Sequence, residues 1–113
     1  MAKHVEKLAE QWFEVSIKCI RFYEEFFSTK WPFGKLDHIF VADYNMGAME
    51  NVGCVIYTES YIQRDEVFTN DKKQGVLVTL LHEISHMWFG NLVTMKWWDD
   101  LWLNESFANF ISY

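Results

Sequence analysis

Residues 82–86 read His-Glu-Ile-Ser-His, and no other stretch narrows so far what this chain can fold into. Two residues four apart on an α-helix stand about 40° apart around the axis and about 6 Å along it. His82 and His86 therefore turn both imidazoles to one side. At that spacing one Zn²⁺ takes both rings as ligands, with Glu83 beside them as a general base. Zinc in hydrolases is held by three protein ligands and keeps one position open for water. The third ligand must come from another segment, and Glu105, 19 residues beyond His86, is the leading candidate. The longer pattern HExxHxxGxxH needs Gly at 89 and His at 92; the chain has Phe89 and Leu92, so the third ligand is no histidine of that kind.

The helix carrying the pair is expected over about Asp71 to Phe89, opened by Thr69-Asn70-Asp71 and closed by Gly90-Asn91. Val76, Leu80, Ile84 and Met87 form one stripe, and Leu77, Leu81 and Trp88 widen it until the helix is apolar nearly all round. Such a helix is buried. One buried histidine is an ordinary core residue once it finds partners. Two of them with a carboxylate between are costly to bury unless a metal or another partner satisfies all three.

Upstream, residues 3–27 read as a long amphipathic helix with Val5, Leu8, Trp12, Val15, Cys19, Phe22 and Phe26 facing a core, flanked by Phe13, Ile20 and Phe27. Pro32 and Gly34 break the chain. Leu36 to Ala42 and Val52 to Thr58 are strand candidates. His38, alone in the first, reads as an ordinary histidine rather than a ligand. Between them Gly47-Ala48-Met49-Glu50-Asn51 has the composition of a turn with an exposed carboxylate, small enough at 47 and 48 for a backbone to approach. Residues 59–70 are mixed and polar. Beyond the zinc-helix candidate, Leu92 to Leu103 is a tryptophan-rich connector, and Asn104 to Tyr113 a third helix with Asn104 as its cap and Phe107, Phe110 and Ile111 as its apolar side. That third helix would bring Glu105 back to the histidines.

Composition bears on scale. A chain of 113 residues that is 50% hydrophobic, with six Trp and ten Phe, holds more ring surface than so small an interior hides. It reads as one part of a larger unit. The net charge of −6 speaks against a nucleic-acid partner and mildly favours cationic groups such as a peptide's N-terminus. Cys19 and Cys54 read as buried hydrophobes rather than a disulfide framework. Lys3, Glu6, Lys7, Glu10 and Glu14 exclude a signal peptide over the first 15 residues, and no apolar run approaches the roughly 20 residues a bilayer requires.

Taken together, Gly47-Ala48-Met49-Glu50-Asn51, His82-Glu83-Ile84-Ser85-His86, eighteen intervening residues and Glu105 resemble the gluzincin zinc aminopeptidases of the aminopeptidase N and puromycin-sensitive type. The connector from Trp88 through Asn104 follows that family's wording closely. The resemblance implies an α+β, thermolysin-like catalytic domain, of which residues 1–113 are an incomplete part. It implies one Zn²⁺ per chain on His82, His86 and Glu105, with Glu83 taking a proton from the zinc-bound water. It implies that Glu50 pairs with the substrate's free α-ammonium, while Gly47, Ala48, Met49 and Asn51 line the peptide, which lies alongside as an added edge strand. Expected partners are peptides with a free N-terminus and the remaining domains of the parent enzyme. Members occur in the cytosol and tethered to membranes; a cytoplasmic location is the expectation here.

Two positions depart from the family's pattern. Ser106 stands where glycine is usual. Ser112 stands where many members carry an acidic residue that orients a ligand histidine, which bears on zinc affinity. The family's tyrosine that stabilises the tetrahedral intermediate is expected beyond this stretch, and that role is not given to Tyr113. A related zinc endopeptidase or epoxide hydrolase would share the ligands, although the epoxide-hydrolysing relative typically carries Gly where this chain has Ala48. A non-catalytic zinc-binding fragment is the alternative from another class; Glu83 and Glu50, which a structural site does not need, weigh against it.

Overall fold

The computed structural model describes residues 2–62 and 69–113. The side chain of Val5, and residues 63–68 of the polar segment expected over 59–70, lie outside the described residues. Three helices enclose a small sheet: α1 (Ala2–Phe26), β1 (Asp37–Val41), β2 (Ala48–Met49), β3 (Cys54–Thr58), α2 (Asn70–Ser85) and α3 (Leu101–Ile111), with single 3₁₀ turns at Glu59–Tyr61 and Trp98–Asp100. The architecture is α+β.

The buried stripe of α1 is the expected one in part: Trp12 and Cys19 are buried and Val15, Ile20 and Phe27 pack against the core, but three expected phenylalanines do not. Trp12, Ser16, Cys19 and Tyr23 are buried, while Phe13, Phe22 and Phe26 are more than half exposed. The helix has more apolar positions than one face can hide, and Tyr23 decides which face wins. Its ring packs edge-on against Trp88, and its hydroxyl donates to the carbonyl of Leu81 at 3.1 Å and to that of Ile111 at 3.4 Å. One side chain of α1 thus ties α2 to α3, and its hydroxyl finds acceptors where it is buried.

The sheet order is β1-β3-β2, with β1 parallel and β2 antiparallel to β3. The β-branched and aromatic run of β3 alternates as a half-buried strand should: Val55 and Tyr57 point inward at 0% exposure, against Trp12 and the α2 side of the core. The turn expected over residues 47–51 contains two paired residues, Ala48 opposite Tyr57 and Met49 opposite Ile56. β2 is an edge strand whose outer side carries no partner strand among the described residues.

Helix α2 starts where expected, its first turn capped by Thr69, whose side chain accepts from the Lys72 amide. It is buried only over its last turns. Residues 71–75 and Leu77 are exposed, because α1 and α3 cover only the C-terminal half, so the all-round apolar helix is corrected to a half-exposed one. It also ends at Ser85 rather than Phe89. Ser85 Oγ donates to the His82 carbonyl at 2.7 Å, and the next amides step back three residues, Met87 to Ile84 and Trp88 to Ser85. That competition for a helical carbonyl tightens and then stops the helix. Helix α3 begins three residues before Asn104, so Asn104 is a buried residue of the helix and no cap. Phe107 and Phe110 face outward; Ala108 and Ser112 face in beside Ile111. Cys19 is buried and Cys54 half-buried, and both are free thiols. Among the described residues no helix is long and apolar enough to cross a membrane.

Candidate metal centre

His82 lies in the last turn of α2, and His86 occupies the position just past its end. Although the helix has stopped, His86 keeps right-handed helical torsions (φ −58°, ψ −21°), so the i, i+4 relation survives the terminus. The two rings meet edge to face with centroids 4.5 Å apart. Helix α3 packs on α2 and presents Glu105 to the same point. His82 Nε2 and His86 Nε2 are 2.9 Å apart, and Glu105 Oε2 stands 3.3 Å from the first and 3.7 Å from the second. Among the described residues this is the one group of three such side chains whose ligand atoms all fall within 4.8 Å of one another.

The donor set fits zinc. Ligand atoms about 2.05 Å from a tetrahedral Zn²⁺ stand roughly 3.3 Å from each other, and the three observed separations bracket that value. Two nitrogens and one carboxylate oxygen is a ligand set that zinc hydrolases use. The tautomer of His86 is held as a ligand requires: Nδ1 lies 3.0 Å from the Phe89 carbonyl, to which it donates, leaving the Nε2 lone pair toward His82 and Glu105. The Phe89 carbonyl was not foreseen from sequence, because it exists only after the helix has stopped short. Ser112 plays no such part; its hydroxyl donates to the Asn109 carbonyl at 3.0 Å.

Glycine at 90 guards the same ring. Its φ of +131° lies in the region that L side chains avoid, and an added Cβ would stand 3.2 Å from His86 Nδ1. The residue expected to end the helix instead shapes the loop beneath the His86 ring.

Glu83, one residue from the first histidine, is 5% exposed, and its Oε2 is buried with no hydrogen-bond partner. Burial pushes its carboxyl up to about 8, with the Glu50 and Glu105 carboxylates adding to the shift. His82 is held below the usual histidine range by burial and by His86, against the pull of Glu105 and Glu50. A buried carboxyl oxygen with no protein partner near a converged set of donor atoms fits a metal centre with a polar reactant at its side.

Glu50 joins the cluster: its Oε1 lies 4.0 Å from His86 Nδ1, with its side chain 19% exposed. Ala48 and Met49 form the edge strand next to it, and the Gly47 carbonyl accepts the Thr58 amide at 2.9 Å. The close approach at Gly47 is made from within the chain, by the Tyr61 hydroxyl, 3.1 Å from where a Cβ would stand. Asn51 is exposed, and its carbonyl accepts the Cys54 amide at 2.8 Å. His38 stays away from the cluster. Its ring nitrogens meet Ser16 Oγ at 3.2 Å and Tyr57 Oη at 3.1 Å, as an ordinary satisfied histidine.

The peptidase family M1 domain matches residues 11–113. This chain belongs to that family. It is 49% identical over 100 residues to an aminopeptidase N of Lactococcus lactis subsp. lactis, a match covering 88% of this chain and 12% of that protein. It is 50% identical over 101 residues to the puromycin-sensitive aminopeptidase of Caenorhabditis elegans, covering 88% of this chain and 11% of that one. Aminopeptidase M1-D of Oryza sativa subsp. japonica is likewise 50% identical over 101 residues, covering 88% and 12%. The chain therefore spans about one eighth of the length of these relatives.

Proposed function

We propose that this M1 chain forms part of a thermolysin-like zinc aminopeptidase domain that removes residues from the N-termini of peptides. The observation that carries the reading is the convergence of His82, His86 and Glu105 within 4.8 Å, with the unpartnered Glu83 carboxylate buried beside them.

His82, His86 and Glu105 hold the metal. When bound there, zinc supplies a Lewis acid that lowers the pKa of water toward about 7 and polarises a carbonyl. Glu83, whose free oxygen needs a donor, takes the proton of the attacking water and returns it to the leaving amine. Glu83, raised by burial and by the Glu50 and Glu105 carboxylates, would be drawn back toward the ionised form of a base by a cation held at that triad. Glu50 pairs with the substrate's α-ammonium, and its fixed place near His86 selects the first peptide bond. The open side of β2, at Gly47, Ala48, Met49 and Asn51, receives the substrate backbone as an added strand.

Zinc content after exhaustive dialysis against metal-free buffer tests the reading. About one zinc per chain is expected, falling when Glu105→Ala removes the third ligand. Retention of zinc by that variant, or its absence from the parent chain, would remove the proposed triad.

A further inference from the structure

Resting on the reading of Glu50 as the ammonium anchor, we infer that Asn91 is the positioning residue that fixes the distance between that anchor and the metal ligands. Asn91 is bonded at both ends. Its amide nitrogen donates to the His86 carbonyl at 3.0 Å, and its side-chain Nδ2 donates to the Glu50 carbonyl at 2.8 Å, across 41 residues of sequence. A second contact from Nδ2 reaches Met87 Sδ at 3.3 Å, and the same sulfur takes the Gly53 amide at 3.5 Å. Met87 is fully buried, so this sulfur is an internal acceptor shared by the loop after α2 and the turn before β3.

The result is a short covalent and hydrogen-bonded path from a ligand histidine to the backbone of Glu50. It runs through one side chain of a residue type with both a donor and little freedom to move. An exopeptidase needs a ruler: the ammonium site must stand one residue from the reacting carbonyl, and a displacement of an ångström there changes which bond is presented. The Glu50 carboxylate, 4.0 Å from His86 Nδ1, is held at that station from the backbone side by Asn91. The Asn-Leu-Val run beyond Gly90 carries no helix stop in the fold; its asparagine carries the bridge.

Equilibrium binding of leucinamide and of N-acetylleucinamide to the zinc-loaded whole enzyme that contains this chain, with zinc content measured on the same samples, tests this. The ratio of the two affinities does not depend on the fraction folded. Asn91→Leu keeps the branched shape, adds no charge and removes the Nδ2 donor. We expect its preference for the free amine to fall about tenfold, the effect of one lost buried hydrogen bond, at unchanged zinc content. Glu50→Ala should abolish the preference. A preference kept by Asn91→Leu but lost in Glu50→Ala would overturn the inference and leave the anchor standing. A preference untouched in Glu50→Ala, or missing from the parent enzyme, would overturn the anchor and the inference with it. Zinc lost from Asn91→Leu at an unaltered ratio would make Asn91 a support of His86 alone, which also overturns it.

Discussion

Two histidine environments share this small fold, and they are built on opposite terms. At the α1–sheet contact, His38 has a partner on each ring nitrogen, Ser16 and Tyr57, and Trp12 and Phe13 lie against its ring. At the end of α2, His82 and His86 point nitrogen at nitrogen across 2.9 Å, with a carboxylate oxygen beside them and an unpaired buried one next door. Both sites are largely buried. At the first, both ring nitrogens have polar partners of their own, although the Trp12 Nε1 beside them has none; at the second, the two Nε2 atoms face each other and Glu105, and Glu83 Oε2 is left over. Burial of a histidine therefore says little about function; what matters is whether its ring nitrogens face separate partners or converge on one point.

That contrast can be broken in four ways. The largest effect is expected from Glu83→Gln in the zinc-loaded parent enzyme, which keeps the shape and removes the carboxylate proposed as the base. Turnover should fall by about 10²- to 10⁴-fold at unchanged zinc stoichiometry, read by steady-state kinetics beside metal analysis. Near-normal turnover with zinc in place would transfer the base role elsewhere. Next, His86→Ala should weaken zinc by more than the roughly 10- to 100-fold that outer-shell changes bring, whereas His38→Ala should leave zinc affinity as it was. A competition titration with a chelator distinguishes them, and equal losses in both variants would erase the comparison.

The third effect belongs to pH. Burial holds His38 down to about 4, with only Asp37 pulling the other way. Between about pH 6.5 and 4 the unfolded chain binds a proton that the folded chain refuses, so stability is full above that window and drains away as pH falls through it. Discounted for partial exposure, the loss amounts to about 2 kcal/mol. Urea unfolding at pH 7 and at pH 4.5, in the parent chain and in His38→Gln, should show a smaller acid penalty in the variant. An identical slope in both would mean that His38 is protonated without cost.

The smallest effect tests what joins the two regions. Tyr23→Phe removes the hydroxyl shared by the Leu81 and Ile111 carbonyls and should lower stability by about 1 kcal/mol. Because those carbonyls belong to the two ligand-bearing helices, zinc affinity should fall slightly as well. A drop in stability with zinc affinity untouched would confine Tyr23 to packing.

The sequence was most legible where chemistry demands a fixed spacing. His82, His86 and Glu105 meet because four residues of helix and one returning helix leave them little alternative, and the start of α2 at Thr69 and the α+β class were equally plain. Helix ends and buried faces were harder. The halt at Ser85 depends on a serine hydroxyl taking the His82 carbonyl, a local contest that periodicity does not register. Phe22, Phe26 and Phe110 look like core residues to any hydrophobic count, yet they face outward, since three helices and three strands offer too few neighbours to cover them. The bonds of Tyr23, and of Asn91 beyond its reading as part of a helix stop, were missed for a related reason. Each acts through a polar atom on a distant carbonyl, and no pattern within its own segment announces such a partner.

Position 90 extends the consequence into heredity. Every replacement of that glycine adds a Cβ to the same spot against the His86 ring and forces the same disfavoured backbone torsion. Saturation mutagenesis scored by metal retention should therefore find position 90, which contributes no ligand atom, as intolerant as the three positions that would.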